Sequence, residues 1–182
     1  MILLYRIFLW LFFYSFVGWL YESIICSIVA KQLINLGFLN GPLCPVYGFG
    51  ALIVLFFLYG ASQNIIALFL SGSVLTCSVE YITSYMLEKA FHARWWDYSK
   101  HRFHLHGRVC LLGAVVFGAF SVLLVLYIHP AVEALTLQIT DDVVMMVSII
   151  LFSFLSVDLL VTIKSILTIM LHTDQFFFKE SA

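Results

Sequence analysis

From residue 32 to residue 79 the chain carries no Asp, Glu, Lys, Arg or His, and this uncharged run of 48 residues decides most of what the chain can fold into. As continuous helix at about 1.5 Å per residue it would stretch roughly 72 Å, more than twice a hydrocarbon core of about 30 Å. It therefore has to cross a bilayer at least twice. The fold point falls at Gly60-Ala61-Ser62-Gln63-Asn64, the clearest turn-forming cluster between two apolar runs. The pattern predicts helices over 46–60 and 65–91. Before them, 7–30 makes one crossing, interrupted by Glu22; after them, 111–129 makes another, closed by Pro130, and a fifth runs over 143–171.

The rest of the composition agrees. Hydrophobic residues make up 63% and charged residues 10%, far from the balance of about 45–50% and about 25% in a soluble domain. The expected fold is an all-α, polytopic transmembrane bundle of about five helices, residues 1–182 forming a single integral membrane domain. No period-2 alternation between turns suggests a membrane β-barrel. A formal charge of −1 gives no footprint for nucleic acid.

Orientation follows from the basic residues. Lys31, Lys89, Arg94, Lys100, Arg102, Arg108 and Lys179 flank one side of the five-helix arrangement, and only Arg6 flanks the other, while Lys164 lies inside the fifth helix. The asymmetry predicts a multi-pass protein of the cell membrane with its N-terminus outside and its C-terminus cytoplasmic. The N-terminal stretch has one base, no clear small-x-small site and Glu22 in its apolar run, so it is expected to be a retained helix.

Polar residues inside such helices are expensive, so their positions carry information. Glu22, Glu80 and Asp158 each lie 15 residues past an expected helix start, at 7, 65 and 143. That places all three about 22 Å below the outer boundary, in one layer. Ser15-Trp19-Glu22, Cys77-Glu80-Ser84 and Asp158-Thr162-Ser165 recur at three- and four-residue intervals, giving each helix one polar stripe. Either a shared polar cavity or separate structural hydrogen-bond anchors accounts for the layer, and interhelical hydrogen bonding accounts for the hydroxyls.

Residues 40–45, Asn-Gly-Pro-Leu-Cys-Pro, precede a second helix of about 15 residues, too short for the core, so a broken or re-entrant segment is expected before it. Its two prolines free carbonyls to line the same pocket, unless it is only an interfacial turn. Between the third and fourth helices, residues 92–108 interleave Trp, Tyr and Phe with bases, which suits the headgroup level. Arg108 there either pairs with Glu80 or Glu22 or grips an anion. His101, His104 and His106, with Asp97 nearby, follow no ligand template, and no metal is expected. The four cysteines form no CxxC pair and read as small hydrophobes. Phosphate-binding, hydrolase and dinucleotide motifs are absent from the sequence, so no cofactor is expected either.

Four stretches then stand out together: GWLYE at 18–22, GFLNGPLCPVYGFG at 37–50, EYITSYMLEKAF at 80–91, and WWDYS at 95–99 with GRVCL at 107–111. Together they resemble a bacterial family labelled ABC-transporter type IV permeases, over about residues 18–130. The polar positions that match its motifs are Glu22, Asn40, Cys44, Tyr47, Glu80, Glu88, Asp97, Tyr98 and Arg108. Asp158 joins these candidates by depth alone. The chain departs from the family pattern at Leu36, where a basic residue is usual, and at His104 and His106, where Asn is usual. The resemblance implies a permease-like transport component for an unknown solute, working with a separate ATPase subunit and as a homo-oligomer. The alternative left open by the residues is a membrane-embedded enzyme acting on a lipid or polyprenyl headgroup at the inner leaflet, with Glu80 or Glu22 as base and Arg108 holding a phosphate.

Overall fold

The computed structural model describes residues 1–32, 37–60 and 64–180, with backbone alone at 29 and 170–180. Its elements are α1 (Ile2–Ala30), α2 (Pro45–Leu58), α3 (Ile65–Phe91), a short hairpin of β1 (His104–Leu105) and β2 (Val109–Cys110), α4 (Leu111–Leu123), α5 (His129–Leu137) and α6 (Asp141–Glu180). The spans Ile2–Ile28, Ile65–Phe91, Leu111–Leu137 and Asp141–Ile169 are each long and apolar enough to cross a membrane. Large apolar side chains on their outward faces stand bare, Ile66 at 70% and Phe154 at 69% exposure, as a lipid-facing surface requires.

The chain alternates between two ends. Arg6 at the start of α1 donates to the carbonyl oxygens of Thr136 and Ile139 and pairs with Asp141 Oδ1 at 2.7 Å, clamping α1 to the junction of α5 and α6. Tyr59, just after α2, donates to Glu133 at 2.7 Å, so α2 finishes at this clamp end. Here α3 begins as well, its first amides capped by the Asn64 side chain at 3.0 and 3.1 Å. Residues 61–63 of the expected turn lie outside the described residues. The opposite end carries residues 37–44, the β-hairpin and the close of α3, tied together by Phe38 against Phe91 and Trp95.

The short second helix is met as expected. At about 21 Å it falls short of a hydrocarbon core of about 30 Å, and non-helical backbone leads into it. This backbone is satisfied by protein: Cys44 N–H donates to Ser15 O at 3.0 Å in the middle of α1, Gly41 N–H to Asp158 at 2.9 Å, and Asn40 to Thr162 Oγ1 through both its backbone and its side chain. Close approach of α2 to α1 is made by glycine, since a Cβ at Gly18 would overlap Tyr47 and one at Gly48 would overlap Ser15.

Three boundaries differ from the sequence expectation, and one element is additional to it. α1 begins at Ile2 rather than residue 7, and α6 at Asp141 rather than 143. The fourth crossing does not close at Pro130. Pro130 has no N–H to give, and the backbone absorbs the loss by widening into a π turn over Leu124–Ile128, where His129 N–H reaches Leu124 O; the helix then resumes as α5. The β-hairpin is the additional element: His106 (φ 53°), Gly107 (φ 71°) and Arg108 connect the paired Leu105 and Val109, and Arg108 N–H bonds Leu105 O at 3.0 Å.

α1 packs on α2 and α6, and α3 on α4, while α2 joins the two groups. Val54 and Leu68 are fully buried at that junction among Trp10, Tyr14, Leu124 and Val125.

Candidate functional site

Between the α1–α2 pair and the α3–α4 pair lies a cavity of about 450 Å³. α3 turns one stripe toward it, Thr76, Glu80, Thr83 and Leu87, at intervals of four, three and four. α1 contributes Glu22, and α2 contributes Tyr47 and Gly50. The connection after α3 contributes Trp95, Trp96 and Tyr98, while the far end reaches Tyr14 and Ile128. Most of the wall is apolar or aromatic, with its carboxyls toward the hairpin end.

Local sequence explains how the polar groups arrive. Gly18 leaves room for the Tyr47 ring, and one helical turn later Glu22 accepts the Tyr47 hydroxyl. Tyr98 enters from the connection and donates to Glu80 Oε1 at 2.9 Å. It is aimed by its own N–H on Gly107 O at 2.8 Å and by the Asx turn beside it, in which Ser99 N–H and Oγ donate to Asp97 Oδ1 at 2.9 and 2.5 Å. A Cβ at Gly107 would press on both Asp97 and Ser99 at 2.5 Å, so the WWDYS and GR stretches are two halves of one piece of geometry. The Ser99 hydrogen bonds hold the exposed Asp97 carboxyl below the usual carboxylate range. Burial and the Glu80 carboxylate push the Tyr98 hydroxyl up, keeping it a donor.

Glu80 is only 7% exposed, and its Oε2 has no hydrogen-bond partner among the described residues. Glu22 lines the same cavity.

The other expected site residues, Cys44 excepted, go elsewhere. Arg108 does not meet Glu80 or Glu22. Its guanidinium lies 2.5 Å from Glu88 Oε2 and about equally over the Tyr81 and Tyr85 rings, 5.5 Å from each centroid, while Arg94 takes the second Glu88 oxygen at 3.0 Å. Asp158, placed with the other acids by depth, anchors Gly41 instead, and Asn40 is bound to Thr162. Cys44 is buried at the start of α2 and reaches the cavity wall. His106 Nδ1 bonds Tyr81 at 2.9 Å, and His104 Nδ1 accepts from Gly107 N–H at 3.0 Å.

A second polar cluster went unforeseen at the clamp end. His129, 2% exposed, bonds Tyr14 at 2.9 Å between the Trp10 and Tyr59 rings. The signal was a histidine inside an apolar run before Pro130, which reads as a helix end unless the helix continues.

Fold and cavity together define a multi-pass helical membrane protein with a polar-ended internal site. The family described as "Putative ABC-transporter type IV" matches residues 9–163, and the chain belongs to it. Neither the curated proteins nor the solved structures give a match.

Proposed function

We propose that the chain is the membrane component of a transport system and that the cavity between the two helix pairs is its solute site. The cavity itself carries this reading: 450 Å³ of mostly apolar space within the membrane, with carboxyl and tyrosine groups gathered at one end. Such a site fits an amphiphile whose body lies along α2 and whose polar head meets Glu80, Tyr98, Glu22 and Tyr47. The hairpin end carries Arg94, Lys100, Arg102 and Arg108 and faces the cytoplasm by the positive-inside rule, leaving the N-terminus outside. Because the sequence holds no phosphate-binding loop, nucleotide hydrolysis comes from a separate ATPase subunit docked on that face. The small number of spans calls for a homo-oligomer. The enzyme alternative loses its phosphate holder, since Arg108 is committed to Glu88 and lies off the cavity wall.

Gly50 provides the test. It lines the cavity, and a Cβ built there meets nothing within 4 Å. Gly50→Phe should fill the space while leaving the detergent melting temperature close to wild type. Native mass spectrometry should then show loss of an apolar adduct that the wild-type chain retains. An unchanged adduct on a folded Gly50→Phe protein would place the bound molecule outside the cavity.

A further inference from the structure

We infer that the solute is an organic cation, an apolar or aromatic body bearing an amine or quaternary ammonium, held between Glu80 and Glu22 inside the aromatic wall; this rests on the cavity being the solute site. Glu80 and Glu22 both line the cavity, and no Lys, Arg or His lines it among the described residues. Two carboxyls on one cavity wall, with no base beside them, reject an anion and are relieved by a positive charge. Their hydrogen bonds are incomplete in a telling way. Tyr98 and Tyr47 occupy one position on each acid, yet Glu80 Oε2, on a side chain more than nine-tenths buried, is left open. An ammonium N–H supplies the missing donor, and a quaternary nitrogen, which has no N–H, supplies compensating charge alone. The remaining wall supports the same charge, because Trp95, Trp96, Phe38 and Phe117 present aromatic rings to the space, and ring faces attract cations. The aromatic walls also accept the rest of the molecule without further polar contacts.

Two probes of the same shape and opposite sign separate charge from greasiness: tetraphenylphosphonium and tetraphenylborate. Binding to the purified full chain in a neutral detergent is followed by equilibrium dialysis, with empty micelles as baseline. Tetraphenylphosphonium should be retained saturably and tetraphenylborate should stay at baseline. Glu80→Gln should weaken the cation by about ten-fold or more, and Glu22→Gln, as a second variant should the first melt early, should weaken it in the same direction. Equal retention of both ions, or cation retention indifferent to either carboxyl in folded variants, overturns the cationic assignment. Failure of the underlying reading looks different: in that case folded Gly50→Phe binds the probe as well as wild type, whereas loss of both ions in Gly50→Phe keeps the cavity as the site and rejects only the charge.

Discussion

Arg108 is a guanidinium drawn down to 8% exposure, and what surrounds it decides its worth. Glu88 holds it at 2.5 Å, the Tyr81 and Tyr85 rings cover it, and Arg94 shares the same carboxylate. Arg108→Gln should therefore cost about 1.5–3 kcal/mol, the range for a hydrogen bond to a charged group. Glu88→Gln in addition should cost less than the sum, while Glu80→Gln in addition should be additive. Double-mutant melting curves in detergent check this, and coupling to Glu80 instead of Glu88 would contradict the geometry. The sequence brings Arg108 toward Glu80 because counting along rods yields depth and not direction. Tyr81, Tyr85 and Glu88 form one stripe of α3, whereas Thr76, Glu80 and Thr83 form the next, about 100° around the helix. A single step along the chain separates the cavity from the ion pair. Glu22, Glu80, Tyr47 and Tyr98 were legible as candidates; that Asp158 anchors the re-entrant backbone was not, since depth alone cannot say which neighbour an acid meets.

At the scale of helices, α3 and α4 are fastened by reciprocal small residues. A Cβ at Gly72 would overlap Ser121, and one at Gly118 would overlap Ser73 and press within 2.9 Å of the Phe69 ring. Ser73 Oγ crosses the gap to Ala114 O at 2.8 Å, a contact available only because the backbones are that close. Gly118→Val should force the pair apart and cost about 1–3 kcal/mol by overpacking. Gly50→Ala, where the added methyl meets open space, should be neutral or stabilising by up to about 1 kcal/mol. Thermal melting of the two variants side by side tests the contrast, and equal losses would deny that α3–α4 proximity is the cause. Apolar runs made the spans legible, and Pro45 with Gly60 made the brevity of α2 legible. The continuation past Pro130 was hidden because a proline stop and a π turn look alike in one dimension. His106-Gly107 is a weaker hairpin signal than Asn-Gly, and the two strands it joins are only two residues each.

Considered as a whole, the molecule ties its non-helical segment to a helix far along the chain. The re-entrant segment is fixed by contacts that span 117 residues, from Gly41 to Asp158, and 122 residues, from Asn40 to Thr162. Residues 40–44 are translated more than a hundred residues before Asp158 and Thr162, their partners on α6. Until α6 arrives, these amides have only water or lipid headgroups to bond, and water holds them near the surface rather than at the level of Ser15. α6 is therefore expected to lock a loop inserted much earlier. A chain ending before Asp141, with Cys44 as its one remaining cysteine, should label at Cys44 with a membrane-impermeant thiol reagent applied to the hairpin face, whereas the counterpart carrying α6 should label far more slowly. Equal labelling would mean that α1 alone seats the segment. Assembly order is thus written into the distance between Asn40 and its partner hydroxyl, and a ribosome that stalls before α6 leaves a protein whose other spans are in place but whose interior is unfinished.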